Sequence, residues 1–514
     1  MSFFLVRGSP YLTLSVTKPA PLSISTVHDI IYFSSNDSST KFTIRFNNNQ
    51  AWILYASIKI KLTQGRSEIT SEAFSGTIRI ALLPDSDSKH EAVLDRYCFC
   101  YPVSGDAILR EPFCVEYKWE KKGWGDLLML AHPLHLQLLS EKDCKNITVL
   151  SDFKYKSIDG DLVGIVADSW ILKTDHVSIT WYSTKGVKEK HYDQIVSSLF
   201  TDVEGLNSLS IKTTSCHAIG KLIARAARLA LIAEEIFFYD VIPKVKVKKY
   251  LKEMIEPWLD GTFKGNGFLY DKKWGGIITK QGSTDSNAEY GFGIYNNHHG
   301  TLGYFVYAIA VLAKIDPAWG RKYKAQAYSL LEDFMNLSTS LNSNYARFRC
   351  FDLFKLHSWA GGVTEFADGS NQMASSEAVN AYYASALMGM AYGDPQLVSI
   401  GSTLASLEIC AEKMWWHVKK DGKLYEKDFT KENRIMGVLW SNKRDSGLSF
   451  APAEWREARL GVQVLPLSPI SEVLFSDAKY VKELVEWTLP ALKREGIGQQ
   501  MKGFVFALQG IYDN

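Results

Sequence analysis

Short apolar runs alternate with turn-forming clusters over the first third of the chain. WILYASIKIKL (52–62), GTIRIALL (76–83) and SWILKTDHVSITWYS (169–183) are rich in Ile, Thr, Tyr and Trp. SSNDSS (34–39), PDSDS (84–88) and SIDGD (157–161) lie among them. Strands at this spacing, with no helical period between them, predict an antiparallel β-sandwich over residues 1–185. Near residue 215 the period lengthens. CHAIGKLIARAARLALIAEEI (216–236) repeats Ile, Leu and Ala at helical spacing, and helical patterns recur near 243–257, 302–315, 320–335, 375–392, 395–417 and 477–494. Several of these are apolar on more than one side, as in YFVYAIAVLAKI (304–315). Helices arriving in pairs and buried all round predict a toroid of helical hairpins over 256–514. Residues 186–255 read as a short mixed connector.

Composition changes this picture little. With 514 residues the chain is too long for one ordinary core. A net charge of +2 gives no electrostatic reason to expect nucleic acid or an anionic membrane as partner. The 14 Trp, 25 Tyr and 26 Phe supply a large core and, equally, flat faces on which sugar rings stack. The seven cysteines show no CxxC pair and read as buried free thiols; Cys98 and Cys100 are expected to share one face of a strand. MSFFLVRGSP is broken by Arg7 and does not read as a signal peptide, and no run is long enough for a membrane span.

Three loops in the helical part combine Gly, aromatics and polar groups: 272–305, 349–383 and 438–461. Long polar loops between buried helices are where such a toroid carries a binding site. Here the chain resembles the endo-β-1,3-glucanases of glycoside hydrolase family 81, the plant branch above all. The resemblance runs through LVRGSPYLTLSV, the block 101–140, FGIYNNHH (292–299), HSWAGGVTEFADGSNQ (357–372), SSEAVNAYY (375–383) and ISEVLFSDAKYVKELVEWTLPAL (470–492). It implies an N-terminal β-sandwich, a small α/β connector and a C-terminal (α/α)6 toroid. It also implies a monomer that needs no cofactor or metal, acting on laminarin- or callose-like β-1,3-glucan. The family's setting is extracellular or the cell wall, although compartment is not readable here. Relatives usually begin further upstream, so the sandwich is expected to be shortened.

The family inverts the anomeric carbon. That chemistry needs a protonated carboxylic acid on one side of the bond and a water-activating carboxylate about 6.5–9.5 Å away. By resemblance, the acid is the Asp of Tyr-Asn-Asp-His-His, which is followed by a variable residue and a further His. The base is one Glu of Asn-Gln-Glu, three small residues, Glu. This chain departs at three of these four places: Asn297 stands for the acid, Thr301 for the His and Met373 for the first Glu. Glu377 alone remains as the candidate catalytic carboxylate. If both segments are helical, a spacing of four puts each pair on one face.

Asp285, Glu289 and His299 are the candidate substitute acids; a turn residue, a solvated carboxylate and a sugar-binding donor are their plainer roles. The resemblance places Trp274, Tyr295, His299, Asp352, His357, Trp359, Glu365 and Asn371 around the glucan, with packing or loop-holding as the alternative for Trp274, Trp359 and Glu365. Ser449 stands where plant relatives usually carry Trp. Two function classes follow: an endo-β-1,3-glucanase with impaired chemistry, or a silent β-glucan-binding protein akin to plant glucan-elicitor-binding proteins. A decaying gene copy is a third, which the retained apolar helices argue against.

Overall fold

In the computed structural model, residues 1–236, 242–340 and 343–513 are described. The chain forms two compact units, Met1–Arg110 with Cys114–Lys173, and Glu111–Phe113 with Thr174–Asn514.

The first unit is built on antiparallel sheets. Seven strands, β1 (Ser2–Phe4), β2 (Tyr11–Ser25), β3 (Ile30–Ser35), β4 (Lys41–Phe46), β5 (Ala51–Ala56), β6 (Leu62–Gln64) and β7 (Glu68–Leu82), pair in the order β1-β2-β7-β5-β4-β3, with β6 also on β7. Alternation sets the two faces. Phe42, Ile44 and Leu54 bury on one side with Ile78. Ile53, Tyr55 and Ala81 bury on the other, against Leu94 and Tyr97 of the helix Ser88–Tyr97 and against Leu128, Phe153 and Val166 of a three-stranded sheet. The expected strands are shorter than their apolar runs. The run 52–62 breaks after Ala56, and 169–183 remains a strand only over Ser169–Lys173. Beyond it, Thr174 leaves the sheet and its Oγ1 accepts a hydrogen bond from Ser406 at 2.8 Å. Cys98 and Cys100 do not share a strand: Cys98 ends the helix Ser88–Tyr97 and Cys100 opens the next strand. None of the seven cysteines forms a disulfide.

The second unit is helical. Five helices, α1 (Cys216–Ile236), α2 (His298–Ile315), α3 (Ser375–Tyr392), α4 (Arg456–Val464) and α5 (Gln499–Gln509), pack in succession as the inner wall of an (α/α)6 toroid. Outer helices follow them in sequence: Ile242–Leu259 lies on α1, Lys324–Met335 on α2 and Pro395–Ala411 on α3. Nearly every residue of α2 and α3 is buried, which is why their sequences show no polar face. Gly303 makes their contact possible. A Cβ there would stand 2.8 Å from the Ala381 Cα. The expected connector carries helices Tyr192–Glu204, α1 and Ile242–Leu259. The expected helix 395–417 ends its α-helical part at Ala411 and closes in a π turn, Glu412–Trp416.

The helix Pro395–Ala411 drives a carboxyl into the core. Glu408 is 2% exposed and accepts a hydrogen bond from the Ser358 amide at 2.6 Å. Burial pushes its pKa up to about 8, against the lowering effect of the Ser358 bonds. The folded state therefore holds a proton that the unfolded chain releases above the ordinary Glu range, so stability falls as pH rises from about 4.3 to about 8. Glu408→Gln keeps the acceptor and removes the titration. Urea unfolding is expected to show the variant gaining on the unmodified chain by ~1 kcal/mol per pH unit across that window, and by nothing below it.

Candidate active site

The segment before α2 is conformationally unusual. Glu289, Tyr290, Tyr295 and Asn297 all hold positive φ, between 50° and 69°. Such a run of left-handed, non-glycine residues persists only where surrounding contacts over-determine it. The contacts are present. The Asn297 amide donates to the Ala360 carbonyl at 2.7 Å, and the Ala360 amide donates in turn to the Asn371 carbonyl at 2.7 Å. Asn371 and Gln372 pair with Trp440 and Leu439. Backbone bonds thus tie all three polar loops together. The spacing-of-four reading holds only in part. Asn297 is the N-cap of α2 and Met373 precedes α3, so the first member of each pair stands off its helix; Asn297 and Thr301 still meet one cluster, through Glu377 and His217, whereas Met373 turns away from Glu377.

Glu377, in the first turn of α3, lies at the centre. It is 4% exposed. Its Oε1 accepts from the Tyr304 hydroxyl at 2.8 Å and lies 3.3 Å from the Lys221 Nζ. Its Oε2 accepts from the Asn297 Nδ2 at 3.3 Å. Burial alone would raise this carboxyl, but the charge of Lys221, the His217 ring and the hydrogen bonds of Tyr304 and Asn297 together hold it below the ordinary Glu value. Glu377 is an ionised, fully engaged group. Beside it His217 Nδ1 meets the Thr301 hydroxyl at 3.1 Å. Gly300 leaves room for the Asn297 side chain, since a Cβ there would lie 2.5 Å from its Oδ1.

Met373 points elsewhere. Its side chain packs on Leu448, Ala451 and Ala458, and the Ser449 hydroxyl reaches its sulfur at 3.9 Å. Met373 and Ser449 therefore touch each other.

The candidate substitute acids are placed as follows. Glu289 accepts from the Cys216 amide, at the start of α1, and from the Thr279 hydroxyl, so its carboxylate is committed to the fold. Asp285 is exposed and accepts from the Asn287 amide at 2.9 Å, as a turn residue does. His299 is fully buried, 3.5 Å from the Gln372 amide nitrogen, and burial lowers its pKa to about 3. Near neutrality it is a neutral imidazole, unsuited to act as a general acid.

The expected glucan contacts fall into two groups. Tyr295 is buried between Arg349, 4.1 Å above its ring, and His298, and its hydroxyl donates to Asp271 at 2.8 Å. His357 is buried against Trp359, Trp415 and Trp416. Asp352 accepts from the Phe354 and Lys355 amides and from the Trp359 indole. Trp359 and Asn371 are half-buried, Glu365 is exposed, and Trp274 is 51% exposed at the hairpin between Phe268–Asp271 and Gly276–Thr279.

Comparison with known proteins decides the family. The model of the glycosyl hydrolase family 81 N-terminal domain matches residues 1–183, and that of the C-terminal domain matches 186–514. The chain belongs to glycosyl hydrolase family 81. It is 69% identical over 515 residues to a soybean (Glycine max) glucan endo-1,3-beta-D-glucosidase, covering 100% of this chain and 77% of that protein. It is 25% identical to the primary septum glucan endo-1,3-beta-D-glucosidase of Schizosaccharomyces pombe, over 92% of this chain and 47% of that protein. A solved family 81 glycoside hydrolase from Clostridium thermocellum superposes with a TM-score of 0.80 at 22% identity, covering 99% of this chain and 70% of the other, which shows the fold.

Within this family 81 site, three residues went unnoticed in sequence: Lys221, His217 and Tyr304. A signal existed for two of them, because His217 and Lys221 are four apart on a helix already legible as such. Asn297→Asp is expected to set a second carboxylate against Glu377. One of the pair must then hold a proton above the ordinary carboxylate range. Thermal unfolding should show the variant losing ~1–3 kcal/mol relative to the unmodified chain as pH rises from about 4 to about 8.

Proposed function

We propose that this protein binds β-1,3-glucan in the family 81 cleft and hydrolyses it weakly or not at all. The observation that carries this is the 3.3 Å contact between the Asn297 amide and Glu377. An inverting pair brackets both the scissile bond and a water, across about 6.5–9.5 Å. Groups in hydrogen-bond contact cannot do so. Glu377 is therefore read as the partner of position 297. Beside an Asp it would raise that acid's pKa and hold it protonated, while the water-activating role falls to position 373. In this chain the first position carries an amide with no proton to transfer, and the second a thioether packed on Leu448 and Ala451. Each lost group is worth about 10²–10⁴ in rate.

Binding depends on other groups. Trp274, Trp359, Glu365 and Asn371 are open enough to meet a sugar, whereas Tyr295, His299, Asp352 and His357 hold the loops that present them. The 69% identity to a soybean protein named as a glucan endo-1,3-beta-D-glucosidase supports the same ligand, and it is what favours the alternative of an active enzyme. Reducing-end release from laminarin, beside calorimetry with laminari-oligosaccharides, separates the two. The unmodified chain is expected to bind and to turn over at least ~100-fold more slowly than the Asn297→Asp, Thr301→His, Met373→Glu triple variant. Comparable turnover by both would overthrow the silent-binder reading. Absence of binding by both would mark a non-functional copy.

A further inference from the structure

A cavity of about 710 Å³ lies between the five inner helices, lined by residues of α1, α2, α3, α4 and α5 together with the loop after α4. Its volume is that of an ordinary small-molecule site. The walls are mostly apolar, Leu222, Val462, Leu465 and Phe504 among them, and among the described residues no Asp or Glu lines it. Its charged residues, among those described, are cations. Lys221, Arg225 and Arg228 form one stripe along α1, at i, i+4 and i+7.

Two of these cations are committed, Lys221 to Glu377 and Arg225 to Asp202 at 2.9 Å. Arg228 lies beside the Tyr307 hydroxyl, and its Nη1 has no hydrogen-bond partner among the described residues. Glu235 is near enough to feel the Arg228 charge but does not line the cavity. Asn380, one turn beyond Glu377 on α3 and 2% exposed, likewise has an unpartnered Nδ2. Unpaired buried donors are costly, and two of them bordering one apolar cavity call for an acceptor.

We propose that this cavity binds an amphipathic monocarboxylate, with its apolar body between the inner helices and its carboxylate toward Arg228, Tyr307 and Asn380. Charge complementarity selects the head group: among the described lining residues Arg228 is the cation not paired with a carboxylate and none is an anion, so a neutral ligand of the same shape leaves the Arg228 charge unbalanced. Sugars fit poorly, because apolar walls leave their hydroxyls unpaired. Lys221 and Tyr304 face both the cavity and Glu377, so the cavity adjoins the family 81 site.

The test is calorimetry of the full chain with octanoate and with 1-octanol at neutral pH. Saturable one-site binding of octanoate, at least tenfold tighter than octanol, is expected. Arg228→Gln should weaken octanoate at least tenfold and leave octanol unchanged, and Val462→Trp, which fills the cavity, should abolish both. Circular dichroism melts would confirm that each variant is folded. Equal affinity for the two ligands, no saturable octanoate binding, or octanoate binding that survives either variant would overturn the proposal.

Discussion

A single buried carboxylate organises the centre of the helical unit. Glu377 comes from α3, its hydroxyl donor Tyr304 from α2 and its counter-charge Lys221 from α1. A charge only 4% exposed is tolerable only when each oxygen is met by a donor. That requirement fixes how closely the three helices must approach. Gly303 against Ala381 supplies the approach between α2 and α3, immediately before Tyr304 and four residues beyond Glu377. The same carboxylate also accepts from Asn297, and so ties the toroid's interior to the loop that would face substrate.

The chemistry available to the site follows from how fully Glu377 is occupied. A general base must be able to take a proton from water. A carboxylate held below its ordinary pKa, with donors on both oxygens, is a poor candidate for that work. It is suited instead to accept hydrogen bonds from a neutral donor in contact with it, as it does from the Asn297 amide. The amide at 297 resolves the conflict that two adjoining carboxyls would create, because its Nδ2 donates where an ionised acid would repel.

Much of the fold was legible in sequence because its periods are clean. The apolar run at 52–62 gives a strand buried on both faces, and apolar residues on every side of 304–315 give a helix inside a wall. What failed to show were boundaries. The run 169–183 keeps strand-like composition past Lys173, where the chain has already joined the helical unit through Thr174 and Ser406. Helices α4 and α5 were hidden because α4 is short and buries Arg459 and Gln463 beside its apolar residues, while α5 leaves Phe506 outside. The site's motif positions were visible, but the direction of each side chain was not. A spacing of four implies a shared face only inside a helix, and here both first members precede the helix start. Lys221 escaped notice because the pairing of a lysine with a glutamate 156 positions later exists only once the toroid closes.

The replaced positions are not scattered losses. Asn297 donates to Glu377, Thr301 meets His217, and Met373 lies against Ser449, itself a departure from the plant pattern. Each substituted side chain has a partner suited to its own chemistry: an amide for a carboxylate, a hydroxyl for an imidazole, a thioether for an apolar patch. Unselected drift would more often leave an orphaned polar group than a matched contact, because buried polar atoms without partners are destabilising. The three side chains are thus each accommodated by the contacts around them. Changing any one of them alone would disturb its present contact, so substitutions at these positions and at their partners are expected to be non-additive.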